Sequence, residues 1–180
     1  MTRQIKKTIA FIGMMGAGKT AVGRAVALKL GIPFLDADTE IEKAANMSIP
    51  EIFTRDGEKF FREREAQVIL RLMKGSPTIL STGGGAFIEK KNRQAISRYG
   101  VSLWLDVEID ILWSRVKNKD TRPLLKSQDP FETLKTLHLE REHLYRLADI
   151  TVRSSKNYTV DDMALKVIDK LYLYPNLFEG

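Results

Sequence analysis

Gly13-Met14-Met15-Gly16-Ala17-Gly18-Lys19-Thr20 fits the pattern Gly-x-x-x-x-Gly-Lys-Ser/Thr in full, between a short apolar run and a helical pattern. Those residue types at that spacing cradle phosphate. Glycines let the backbone turn its amides inward, the helix N-terminus adds its positive end, and the lysine reaches the β and γ oxygens of a nucleotide. The hydroxyl that follows is suited to Mg²⁺. Gly16, Ala17, Gly18, Lys19, Thr20 and Ala21 are therefore the expected ATP-binding residues, with Thr20 also a metal ligand. A second constellation is Phe34-Leu35-Asp36-Ala37-Asp38, which sets two carboxylates at a strand's C-terminal end, where open α/β sheets bind ligands. If the strand persisted, the i, i+2 spacing would aim both to the same side, one toward an acceptor hydroxyl and one toward the metal's water shell. The competing reading of the pair is an Asx turn leading into a helix at Thr39.

These groups need a scaffold that brings strand ends together, and the chain supplies one. Apolar runs at Thr8 to Ile12, Phe34 to Asp36, Thr78 to Ser81, Val101 to Asp106 and Ile150 to Val152 alternate with longer helical stretches. That alternation predicts an α/β fold with a parallel sheet covered on both faces. Gly31 and Gly75 close helices ending in Leu30 and Lys74, and Ser48-Ile49-Pro50-Glu51 reads as a capping box. Residues 117–129 are polar and charged, with Pro123 and Pro130 nearby, and read as a long mobile loop of the kind that serves as a lid. There is no repeat, low-complexity tract or linker, so one domain over 1–180 is expected.

Composition narrows the classes. With no cysteine among 180 residues, a disulfide scaffold, a thiol nucleophile and a thiolate zinc site are excluded. The net charge of +6 lies wholly before Asp36: Arg3, Lys6, Lys7, Lys19, Arg24 and Lys29 meet no acid there, and the remainder balances. That surplus points to anions without choosing among nucleic acid, membrane and small substrate. Lys6-Lys7 and the apolar run after them look like the start of a secretory signal, but the run is short and breaks into the glycine loop. No stretch approaches the 18 apolar residues of a membrane span, and a cytoplasmic protein is expected.

Beyond the loop and the Asp-x-Asp pair, the order Phe61-Arg62 with Glu65, Gly83-Gly84-Gly85, Arg122-Pro123-Leu124-Leu125, and Arg141 before Leu144-Tyr145 resembles the shikimate kinase family from about Thr8 to about Leu171. The resemblance implies a three-layer P-loop kinase fold with a five-stranded sheet in the order 2-3-1-4-5, a lid at about 117–129 and a substrate-binding helical region at about 39–74. It implies ATP-dependent phosphorylation of the shikimate 3-hydroxyl on the way to chorismate and aromatic amino acids, with Mg²⁺, in a cytoplasmic monomer that engages neither nucleic acid nor membrane. Lys19, Asp38 and Arg122 take catalytic roles in it: Asp38 orients the acceptor hydroxyl and acts as base, and Arg122 swings from the lid over the γ-phosphate. Asp36 acts through water on the metal. Arg62 and Arg141 clamp the substrate carboxylate, a task for the planar guanidinium fork. Glu65 orients its neighbours, and Gly83, Gly84 and Gly85 keep ligand space clear of Cβ atoms. Arg115 stacks on adenine, and the segment from Arg153 to Lys156 closes over the base.

The sequence departs from a full Walker B pattern, since Ile79-Leu80-Ser81-Thr82 ends without an acid, which leaves Asp36 and Ser81 or Thr82 to support the metal's water shell. Arg62 and Arg141 stand among glutamates, where a surface role competes. Phe60 and Phe61, Trp104 and Trp113 read as packing, and His138 and His143 are wrongly spaced for a shared metal. Two other functions compete: a kinase for another polyol acid such as gluconate, and a nucleic-acid-binding or nucleotide-sensing module with an inactive loop. The apolar tail after Leu173 either packs back on the sheet or meets a partner.

Overall fold

The computed structural model describes residues 4–119 and 126–179. Five strands form one parallel sheet: β1 (Thr8–Ile12), β2 (Phe34–Asp36), β3 (Ile79–Ser81), β4 (Gly100–Asp106) and β5 (Ile150–Arg153), in the order β2-β3-β1-β4-β5. Every residue of β1 is buried. A strand covered on both faces gains nothing from alternation, so it reads as the continuous apolar run Thr-Ile-Ala-Phe-Ile. Reversal of the chain's direction of travel across the sheet, from β1 out to β2 and β3 on one side and β4 and β5 on the other, opens a crevice at the C-terminal ends of the strands.

The helices are α1 (Lys19–Leu30), α2 (Ala37–Ala45), α3 (Ile49–Met73), α4 (Lys90–Tyr99), α5 (Ile109–Val116), α6 (Pro130–Tyr145) and α7 (Val160–Leu173), with one 3₁₀ turn at Ala86–Ile88. α1 packs along α7, and α3 along α4. Gly31 ends α1 in the left-handed region, as its type allows. α3 begins with the expected capping box, in which the Ser48 amide donates to Glu51 Oε2 at 2.7 Å and the Glu51 amide to Ser48 Oγ at 3.3 Å. It ends at Met73, one residue short of the expected Lys74, and it bends at Gly57, whose φ of 83° only glycine adopts readily.

Two apolar clusters result. The larger fills the space around the sheet, and a second, built on Ile41, Ile52, Phe61 and Val68, holds α2 to α3. This smaller core coincides with the helical region expected at 39–74. The tail packs back on the chain: the Lys6 amide donates to the Leu177 carbonyl at 2.9 Å, the Glu179 amide to the Gln4 carbonyl at 2.9 Å, and Leu177 is buried. Part of the expected lid, residues 120–125 with Arg122, lies outside the described residues.

Candidate active site

The loop between β1 and α1 is shaped by three glycines with positive φ: Gly13 at 138°, Gly16 at 79° and Gly18 at 87°. Two of them also have no room for a side chain, since a Cβ would lie 2.9 Å from the Leu105 carbonyl oxygen at Gly13 and 2.7 Å from Val116 Cγ1 at Gly16. Gly18 caps α1 without any side-chain acceptor, so the first amides of the helix face the cleft. Lys19 is buried and donates from Nζ to the carbonyls of Gly13 and Met14 at 2.7 and 2.8 Å. An N-terminus with unsatisfied amides, bent around a buried ammonium, is a site for phosphate oxygens.

Thr20 opens the next layer. Its Oγ1 donates to Asp36 Oδ2 at 2.9 Å and lies 3.1 Å from Ser81 Oγ. Asp36 therefore does two jobs, because its other oxygen accepts from the Thr39 amide and caps α2. The Asx-turn reading of the pair holds at Asp36, whose second oxygen meanwhile meets the phosphate loop through Thr20. The expected common strand face is not realised, since β2 stops at Asp36 and Asp38 lies in the first turn of α2. Of the two hydroxyls after β3, that of Ser81 faces Thr20, whereas that of Thr82 donates to the Phe11 carbonyl at 2.8 Å.

Four side chains converge on the glycine turn after β3. A Cβ on Gly83 would lie 3.0 Å from Asp38 Oδ1 and 3.4 Å from Glu65 Oε2. On Gly84 it would lie 3.1 Å from the Met15 amide nitrogen and 3.7 Å from Arg141 Nη1, and on Gly85 it would collide with the Arg62 guanidinium, with Cζ at 2.8 Å. None of the three has a positive φ. The glycines are required for space, which at Gly83 and Gly85 is taken by charged side chains of the protein and at Gly84 by the Met15 backbone.

The electrostatics of the turn are set by burial. Arg62 Nη1 donates to Glu65 Oε1 at 2.8 Å, and Glu58 stands 3.6 Å from Nη2. Burial opposes the charge on Arg62, but Glu65 and Glu58 outweigh it and hold the guanidinium protonated above its ordinary range. Burial also lifts the Glu65 carboxyl above the usual carboxylate range, with Arg62 pulling the other way and Asp38 adding to the lift. Arg141 is 8% exposed, far from the solvated position its glutamate neighbours suggest, and its Nη1 finds no hydrogen-bond acceptor among the described residues.

A cleft of about 520 Å³ runs from the phosphate loop past Asp38, Gly83 and Gly84 to Arg115 and the start of α7. Arg115 Nη1 donates to the Gly16 carbonyl at 3.0 Å, tying α5 to the loop. Arg62, Gly85 and Arg141 meet at the turn and do not line this cleft. Ser154, Tyr158, Thr159, Val160, Met163 and Lys119 do line it; Ser154 lies inside the segment expected over the base and Lys119 inside the expected lid, and no motif pointed to the rest. The signal for the others was the capping box of Thr159 and Asp162, which marks where α7 starts at the ligand-binding edge of the sheet. Among the described residues there is no cluster of three histidine or acidic side chains for a metal, and the distant His138 and His143 take no part.

Comparison with known proteins bears on the family and the fold. The shikimate kinase family model matches residues 15–172. The chain is 55% identical over 175 residues to the shikimate kinase of Ruegeria pomeroyi, covering 97% of this chain and 90% of that one. Its fold superposes on shikimate kinase from Acinetobacter baumannii in complex with shikimate with a TM-score of 0.86 and 36% identity, covering 91% of each chain. A gluconokinase from Sinorhizobium meliloti shares the fold alone, at 16% identity and a TM-score of 0.61 over 95% of this chain and 94% of that one.

Proposed function

Since the chain belongs to the shikimate kinase family, we propose that it transfers the γ-phosphoryl group of ATP to the 3-hydroxyl of shikimate, giving shikimate 3-phosphate and ADP. The observation that carries this reading is Arg141 Nη1: a buried guanidinium nitrogen without an acceptor, beside Gly84 and one glycine from Arg62. A buried charged donor left unmatched costs free energy, and a substrate carboxylate supplies the missing oxygen. With the carboxylate between Arg62 and Arg141, a ring hydroxyl faces Asp38 at Gly83, and the Met15 amide places the phosphate loop against the same turn.

The chemistry follows from those positions. Lys19 and the amides of Gly16, Ala17, Gly18, Thr20 and Ala21 hold the β and γ phosphates. Asp38 accepts the hydrogen bond of the attacking hydroxyl, aligns its oxygen with the γ-phosphorus and takes the proton as the new O–P bond forms and the bond to the β,γ-bridging oxygen breaks. Phosphoryl transfer is governed mainly by positioning and charge stabilisation, so alignment is the larger part of Asp38's effect. Arg115 flanks the base, and Arg122 supplies positive charge to the transferring oxygens. Thr20 Oγ1, between Asp36 Oδ2 and Ser81 Oγ, offers the hard oxygens that suit Mg²⁺, with Thr20 a direct ligand and Asp36 acting through water. Bound there, Mg²⁺ would neutralise charge on the β and γ oxygens.

No helix among the described residues is long and apolar enough to cross a membrane, and we place the enzyme in the cytoplasm as a monomer. The test is shikimate-dependent release of ADP from ATP, with gluconate as the alternative acceptor; turnover of gluconate alone overturns the substrate. Asp38→Asn should lower kcat by two orders of magnitude or more while leaving ATP affinity near its original value. Near-normal turnover in that variant would take Asp38 out of the reaction.

A further inference from the structure

Tyr145, the last residue of α6, is the largest side chain in the fold with no exposed surface, and the reaction scheme gives it no role. Its hydroxyl donates to the Gly84 carbonyl at 2.6 Å and lies 3.7 Å from Met14 Sδ in the phosphate loop. Burial holds the phenol's proton on, and the positive charge of Arg141, one turn back on the same helix, acts on the same oxygen in the opposite sense. The ring stacks on Trp104, centroids 5.9 Å apart, and Trp104 in turn floors the loop: a Cβ on Gly13 would lie 3.3 Å from its Cδ1. Three parts of the site therefore share one phenol: the turn that seats the acceptor, the arginine that binds its carboxylate, and the loop that binds the nucleotide's phosphates.

We infer that Tyr145 is a positioning residue that couples acceptor binding to nucleotide binding, by fixing Arg141 and Gly84 at a set distance from the phosphate loop. The inference rests on the proposed kinase reaction and deepens it. A group that only filled the core would need neither the hydroxyl nor its two polar neighbours, since a phenylalanine would fill nearly the same volume. Rigid placement of one site by a group that also touches the other is what makes the affinity of one ligand depend on the other, and the dependence must be reciprocal.

The experiment is calorimetric titration of shikimate into the full chain with and without ADP and Mg²⁺, beside steady-state kinetics, for the native chain, Tyr145→Phe and Met14→Leu. In the native chain ADP should change shikimate affinity by about fivefold or more, within the ordinary range of site-to-site coupling. Tyr145→Phe should raise the shikimate KM by up to about tenfold, the effect of losing the hydrogen bond that holds the Gly84 carbonyl, and abolish the ADP effect while ATP KM stays near native. Met14→Leu keeps volume and removes only the sulfur contact, so it should shrink the ADP effect with shikimate affinity alone unchanged; if the phenylalanine variant does not fold, this one decides. A native-sized ADP effect in the variants that fold, or a fall in melting temperature with KM values unaltered, overturns the inference. A native chain that releases no ADP with shikimate removes the kinase reading and this inference together, whereas native turnover without any ADP effect removes this inference alone.

Discussion

Glu65 sits 2.8 Å from Arg62 and is 1% exposed, so its carboxyl is caught between a cation that favours charge and an interior that opposes it. Burial is the larger influence, and the proton is held more tightly in the folded chain than in the unfolded one. The sign of the pH effect follows. Between the ordinary glutamate value and the raised folded value, the folded state carries more proton than the unfolded state, so this group's contribution to stability is present at the acid end and is lost as pH rises through that window. Glu65→Gln removes the titration, so the difference in unfolding free energy between the native chain and the variant should change steadily with pH through the window and then level off. Urea unfolding at a series of pH values above 4.5 measures it, and parallel profiles would show that Glu65 titrates as an ordinary carboxyl. At this scale the sequence was legible for residues whose types announce their work, such as Lys19 and Thr20. Arg141 stood out only through the ordered set of motifs, because Glu140-Arg141-Glu142 by itself has the look of a solvated face and the packing of α6 against the glycine turn buries the middle residue.

Elements were legible where local rules decide. β1, α1 and the Ser48 capping box stand where patterning and turn chemistry set them, because a buried parallel strand, a glycine stop and an N-cap are each specified within a few residues. The end of β2 was not, because Asp36 can extend a strand or cap a helix with equal ease, and its hydrogen-bond partner Thr20 and its register partner Ser81 on β3 lie 16 and 45 residues away in sequence. The glycine turn is the element whose logic only three dimensions reveal. Gly85 has φ −94° and ψ −5°, a conformation any residue accepts, so alanine there would leave the backbone unstrained and act solely by displacing Arg62. Gly85→Ala should therefore lower kcat/KM for shikimate about a hundredfold, the scale of an ångström's misplacement, with ATP KM little changed. Steady-state kinetics varying each substrate in turn checks this, and equal losses for both substrates would mean the turn has collapsed as a whole.

For the molecule as a whole, the ends of the described chain meet. Ile5 and Phe178 form an antiparallel bridge, Tyr172 packs on Phe178 with ring centroids 4.9 Å apart, and Leu177 is 1% exposed. Leu177→Ala should lower the free energy of unfolding by about 3 kcal/mol through lost burial and the cavity left behind. It should leave shikimate kinetics unchanged where the chain is folded, since the clasp adjoins the start of β1 and the phosphate loop follows its end. Urea unfolding and turnover on the same sample separate the two effects. That arrangement has a practical side. A short peptide could join the two ends and the chain could be reopened at a surface loop far from the crevice, so that a circularly permuted enzyme would keep every residue of the site internal to the polypeptide. Likewise, a tag or carrier fused at either end would hang from the pole opposite the cleft, about one strand's length of some 16 Å away along β1.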